Sequence, residues 1–405
     1  MKIKIKLFLA VVIVYIAFIV VPIFNQLIPL PPGVMSIVLS GAALVLFPKA
    51  FYQRVTLWVI IYFVVMELFV MSGKKLPSLG IGDVVESRRV IIEMAYLLPI
   101  VSILCVLNYL KDINVIAKIR FGSIILISIS FVIIVSLVLA NPGIMRVPES
   151  ELTSNDVLVL GLPNYTLMHA YTFLVPGQLY TIRKAKSPKI KIPMLLFLLA
   201  TLFVIVNTQI TTAMVLVLFF LILFFLFDVN STQSSLIKVG LILFALLVLH
   251  QMGFFRVSAD FLVDFFDGTA AQSKMEDFQS FVYGYTNSES NLDDRESRHI
   301  RSFMALFDNI LVGGDISKLG GHSYLMDRLG GMGLIGFTPF AILLYHMVRL
   351  SYQLLLTKEQ QFYFIITIIA LLVFMYEKGL FGQEGYLFSL ILTPCLLTYL
   401  PQKKA

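Results

Sequence analysis

Charge is scarce in this sequence and cysteine nearly absent. Asp, Glu, Lys and Arg make up 14% of the 405 residues, against roughly 25% in a soluble domain. Without more charge, a water-facing surface large enough for a chain of this length cannot be built. The two cysteines, Cys105 and Cys395, both fall inside apolar stretches. That placement excludes a disulfide framework and offers no Cys/His cluster for a metal. Low-complexity tracts are absent, and no internal repeat marks the paired halves found in many transporters.

What the chain has instead is apolar length. Hydrophobic residues account for 59% of it and the mean hydropathy is +0.91. They fall in blocks near 7–24, 34–48, 55–72, 90–109, 122–140, 166–182, 192–208, 210–228, 236–252, 333–350, 361–376 and 384–400. A bilayer is crossed by about 20 such residues, so the expectation is an all-α polytopic membrane protein with about 12 transmembrane helices. The basic start Met1-Lys2-Ile3-Lys4-Ile5-Lys6 precedes a long apolar run without a small-x-small cleavage site, which reads as a retained first span. With the N-terminus in the cytoplasm, 18 Lys and Arg fall in inner segments and 6 in short outer loops (Lys74, Lys75, Arg88, Arg89, Arg146 and Lys378). Positive residues gather inside, so both termini are placed in the cytoplasm. The net charge of +7 then reflects topology, and no nucleic-acid partner is expected. Three regions result: spans over 1–252, a large outer loop over 253–332, and the last spans over 333–405. Within the spans Glu67, Glu93, His169, Gln178, Asn207, Gln209, His250 and Glu384 are polar where polarity is costly, and such residues often serve function.

The outer loop carries the chemistry. From Asn291 to Phe307 it reads as a helix opened by Asn and Asp capping residues. At about 100° per residue Arg295, Arg298, Arg301 and His299 share one arc, and Ile300, Phe303, Met304 and Phe307 another. The expectation is that the apolar stripe packs on the membrane domain while the guanidinium groups, planar donors suited to phosphate oxygens, face outward. A turn with Gly313-Gly314 follows, then Gly320-Gly321-His322-Ser323-Tyr324-Leu325, and Gly333-Leu334-Ile335-Gly336 leads into the next span. Farther back, aromatic residues at 261, 265, 266, 278 and 281 suggest amphipathic helices on the membrane surface.

The Arg-bearing helix, the glycine turn, the Gly-His-Ser-Tyr-Leu run and the Gly-Leu-Ile-Gly lead-in together resemble the bacterial O-antigen polymerase and O-antigen ligase superfamily. Ile310 stands where that family's turn has proline. The resemblance implies a C-type glycosyltransferase-like fold and a polymerase that joins undecaprenyl-diphosphate-linked oligosaccharide repeat units on the outer face of the cytoplasmic membrane. Its products are O-antigen, capsule or exopolysaccharide, and it needs neither cofactor nor metal. It further implies His322 as catalytic base, with Arg295, Arg298, Arg301, Arg146 and Tyr324 binding diphosphate or glycan and Asp327 helping to orient the base. Partners would be the lipid-linked donor and acceptor, membrane lipids, and the flippase and chain-length regulator of the pathway. The alternatives are a ligase that moves the glycan to a lipid A core and, from another class, a secondary transporter or a lipid-linked glycan flippase.

Overall fold

A computed structural model of the chain describes residues 1–27, 32–77, 86–140, 165–207, 211–226, 248–249, 251–265, 267, 272, 275–276, 279, 283, 291–321, 323–378 and 382–398. Among these, every regular element is helical. Seven helices are long and apolar enough to cross a membrane: α1 (Lys2–Val20), α4 (Arg54–Met71), α5 (Glu86–Leu110), α6 (Ile113–Ala140), α9 (Pro188–Asn207), α13 (Tyr324–Tyr352) and α14 (Lys358–Glu377). The short α2 (Pro22–Leu27) follows α1. Two shorter apolar helices, α3 (Pro32–Leu46) and α10 (Thr211–Leu226), occupy two further expected blocks. The block expected at 236–252 lies almost wholly outside the described residues.

Two expected spans are helices with a defect. The block at 166–182 divides into α7 (Tyr165–Thr172) and α8 (Val175–Lys184), with Pro176 at the start of α8. Proline is accepted in a first turn because its missing N–H has no partner there anyway. The last block comprises α15 (Gln383–Leu387), a π-helical turn (Phe388–Leu392) and α16 (Thr393–Leu397), and it is buried throughout. It forms the axis around which other helices pack. Carbonyls at both defects take side-chain donors: Thr393 Oγ1 reaches Phe173 O at 2.5 Å, Ser351 Oγ reaches Leu390 O at 2.8 Å and Gln360 Nε2 reaches Leu397 O at 2.9 Å. Inside hydrocarbon this accounting is compulsory, since no water can satisfy a freed backbone group. Around the axis the outward faces are apolar, as with Leu57, Ile60, Val64 and Leu68 on α4, the arrangement expected when the solvent is lipid. The protein is therefore a helical membrane protein.

α13 is one helix in sequence and two in space. Gly333 sits inside it at φ 59°, ψ −166° and breaks the run. The rings of Tyr324 and Phe340 lie 5.9 Å apart although sixteen residues separate them; along a straight helix the separation would be about 24 Å. Residues 324–332 thus fold back across the segment that begins at Leu334. The second half begins where the sequence places the start of the span, and the first half is a helical part of the expected loop.

The break is sealed by the turn after α12 (Asn291–Asp308). Leu334 N donates to Ile310 O and Ile335 N to Leu311 O, both at 2.9 Å, and Gly314 N donates to Gly330 O at 2.8 Å. Lys74, just past α4, donates to Val312 O and Gly313 O. These contacts fix the turn at the end of the bundle where α4 finishes and the second half of α13 begins, hereafter the loop end.

Candidate functional site

Close backbone packing builds the site. α12 lies against α13 because its inward face carries Ser302 and Ala305, both buried, and because glycines oppose it. A Cβ at Gly330 would collide with Ser302 O, and one at Gly320 would come 2.6 Å from Arg298 C. The apolar stripe of α12 therefore does not pack inward as expected: Ile300, Phe303, Met304 and Phe307 are exposed, and of the arginines Arg298 is half-buried on the packed side while Arg301 is exposed. Small residues allow the closer approach, and a protein bathed in lipid has no need to bury its largest apolar groups against itself.

One serine ties the pieces together. Ser302 Oγ donates to Asp327 Oδ1 at 2.5 Å and accepts from Gly320 N at 2.8 Å. Asp327 Oδ2 accepts from Ser323 N at 3.3 Å, Ser323 Oγ caps α13 by accepting from Met326 N at 3.1 Å, and Tyr324 N donates to Lys378 O at 2.8 Å. Chain on both sides of position 322 is thereby pinned, to α12 before it and to α13 and α14 after it. The preceding loop is held by local bonds: Lys318 Nζ lies 2.7 Å from Asp308 Oδ2, and Asp315 accepts from Ser317 N at 3.0 Å. The Ser317 amide holds the Asp315 carboxyl below its ordinary value, while the bond to Asp308 raises Lys318.

Beneath this surface lies a buried charged layer. Arg328, 3% exposed, donates through Nη1 to Tyr62 Oη at 2.7 Å and through Nη2 to Glu93 Oε1 at 2.8 Å. Glu93 Oε1 also accepts from Tyr62 at 3.2 Å and Tyr324 at 3.1 Å, and Tyr324 Oη is 3.0 Å from Tyr386 Oη. The guanidinium stacks over the Tyr324 ring at 4.0 Å and the Phe340 ring at 4.9 Å. Two hydroxyls and a guanidinium converging on one carboxylate oxygen explain how a full charge is kept inside an apolar bundle. Glu93 Oε2 and Arg328 Nε have no hydrogen-bond partner among the described residues.

Of the residues singled out by sequence, Asp327 and the Arg298 backbone are joined through Ser302 and Gly320. Arg301 is exposed on the same helix. The Arg295 backbone is helical and its side chain lies outside the described residues, as do His322 and Arg146 entirely. Tyr324 is buried, with its hydroxyl bonded to Glu93 and Tyr386. The His299 ring lies 4.7 Å from that of Tyr376 and the His169 ring 4.4 Å from that of Phe374, both tilted. Among the polar span residues, Glu93 is central, Gln178 donates to Thr201 at 2.8 Å, Asn207 is bonded within its own helix, Glu67 is exposed and Glu384 is buried. Gln209 and His250 lie outside the described residues. Sequence reasoning passed over Arg328 because hydropathy placed it in a loop; the signal available was an arginine four residues after Tyr324, five before the break.

No protein-family model matches the sequence, and a search among curated proteins finds no match.

Proposed function

We propose that the protein is a membrane glycosyltransferase that joins polyprenyl-diphosphate-linked oligosaccharide repeat units, with about twelve spans, both termini in the cytoplasm and the large loop outside. The supporting observation is the approach of Gly320 to the Arg298 backbone, which sets the loop carrying His322 against the helix carrying Arg298 and Arg301 at the loop end of the bundle. The chemistry needs those two functions side by side. As the acceptor oxygen bonds to the anomeric carbon, that carbon's bond to the phosphate oxygen breaks, inverting the centre. Negative charge develops on the departing diphosphate, where preorganised guanidinium groups stabilise it. The acceptor's proton passes to the His322 imidazole, whose ordinary pKa of ~6.5 suits a general base. Arg328 has a different part: Glu93 already neutralises it, so it positions the start of α13, and with it the His322 loop, instead of meeting the diphosphate. A ligase would use the same groups on a different acceptor.

The buried Glu93–Arg328 pair favours a second reading, a secondary transporter, since charges at membrane depth also mark ion and substrate pathways. Purified protein supplied with lipid-linked repeat units distinguishes them. A product ladder from the wild type, lost in His322→Ala and Arg298→Ala at unchanged monodispersity, supports the transferase. Transfer onto lipid A core instead assigns a ligase. Neither product, with solute uptake into vesicles, sinks the proposal.

A further inference from the structure

In water, an amphipathic helix turns its apolar side toward the protein. Two helices described in the large loop leave that side bare. In α11 (Phe254–Phe265), Phe254, Val257, Phe261 and Phe265 fall within an arc of about 80° and are 50–68% exposed. On its other side Gln279 Nε2 and Tyr283 Oη donate to the Asp260 carboxylate at 2.7 and 2.8 Å, holding it below the ordinary range, and the guanidinium of the exposed Arg256 sits 5.5 Å from the Tyr283 ring centre. In α12, Ile300, Phe303, Met304 and Phe307 fall within about 100° and are 45–57% exposed, directly opposite the face that packs on α13.

The bare face of α12 continues without interruption. It runs into Ile310 and Leu311, both exposed, whose carbonyls take the amides of Leu334 and Ile335. Those two side chains are also exposed, and they open the membrane-crossing half of α13. One apolar surface therefore passes from a spanning helix onto the loop helix at a level marked by Lys74, whose ammonium group caps the turn. A lysine at that level, its ammonium 5.6 Å from the Phe69 ring centre and bonded to carbonyls of the turn, is typical of the boundary between acyl chains and headgroups.

We propose that the apolar faces of α11 and α12 are seated in the lipid leaflet at the loop end, making the loop a membrane-bound cap. Lipid is the occupant because the α12 face joins a surface that already meets acyl chains. The inference stands apart from the proposed activity and is tested without it.

Trp58 is the sole tryptophan, so Trp58→Phe supplies a silent background. Phe261→Trp and Phe303→Trp are then placed singly in the full chain and reconstituted into phosphatidylcholine vesicles. Bromine is carried near the carbonyl end or near the methyl end of the acyl chains, and acrylamide reports access to water. Seating about 5–10 Å into the boundary gives both tryptophans at least about twofold stronger quenching by the shallow bromolipid than by the deep one, with weak acrylamide quenching. Strong acrylamide quenching without bromolipid quenching means the faces meet water and overturns the inference. Quenching by neither means protein covers them, a second copy or another segment, and overturns it equally. Variants that elute as the wild type does on size exclusion are the ones compared.

Discussion

Replacing Arg328 with methionine isolates what the buried layer contributes. The substitution keeps an unbranched stem beside Tyr324 and Phe340 but removes the 2.7 Å and 2.8 Å bonds to Tyr62 and Glu93. Glu93, with 0% exposure, is left as a charge with two tyrosine hydroxyls for company, and breaking such a pair costs about 3–5 kcal/mol. Adding Glu93→Gln removes the orphaned charge while leaving a carbonyl oxygen for Tyr62 and Tyr324. The double variant should then be more stable than Arg328→Met alone, with a coupling of roughly 2–3 kcal/mol between the sites. Titrating unfolding with dodecyl sulfate in mixed micelles, followed by Trp58 fluorescence and circular dichroism, gives the four free energies of the cycle. Additivity within ~0.5 kcal/mol would show that the pair is not coupled and that the charged layer does not hold α13.

Gly333→Ala should destabilise by about 2–4 kcal/mol, because a Cβ there meets the Gly313 amide and Leu311 carbonyl at a positive φ; the same titration measures it. Ser302→Ala removes the donor to Asp327 and the acceptor for Gly320, and about 1–3 kcal/mol is lost. If the serine positions the His322 loop, product formation at saturating lipid-linked substrate falls at least about tenfold and Ser302→Thr restores part of it, whereas a merely structural role leaves turnover per folded molecule unchanged. The Asp315 carboxyl, held low by the Ser317 amide, stabilises the loop above the ordinary carboxylate range, and that contribution disappears as pH falls through its depressed value. Asp315→Asn should accordingly flatten the acid side of a thermal-melting profile; an unchanged profile rejects the assignment.

Most of the spans were legible because twenty apolar residues in a row have few other fates. Where a block carried an internal defect, hydropathy returned a length and missed the event inside it, as at Pro176 and in the π turn around Leu390. The largest miss, Arg328, has the same origin. A window sees Tyr324 to Met332 as moderately polar and assigns it to a loop, although Gly333 folds it against Phe340. Only the backbone angle at one glycine decides this, and a glycine does not announce which angle it adopts. The two arcs of α12 were visible at 3.6-residue spacing, but which arc faced the protein was not, since in lipid the larger side chains need not turn inward. For the proposed site, the approach of the Arg298 backbone to the chain just before position 322 follows from Gly320 and Ser302, neither of which has a side chain that signals chemistry.

The sealed break at Gly333 also carries information about biogenesis. Leu334 and Ile335 have amides that lie at the mouth of a membrane-crossing segment, and their acceptors come from Ile310 and Leu311, more than twenty residues earlier in the chain. An amide left unsatisfied in hydrocarbon costs several kcal/mol, so this span is unfavourable as an independent insertion unit. The acceptors emerge from the ribosome first. The turn must already be near its final seat when the span is released into lipid, which makes folding of the turn a condition for finishing the helix behind it.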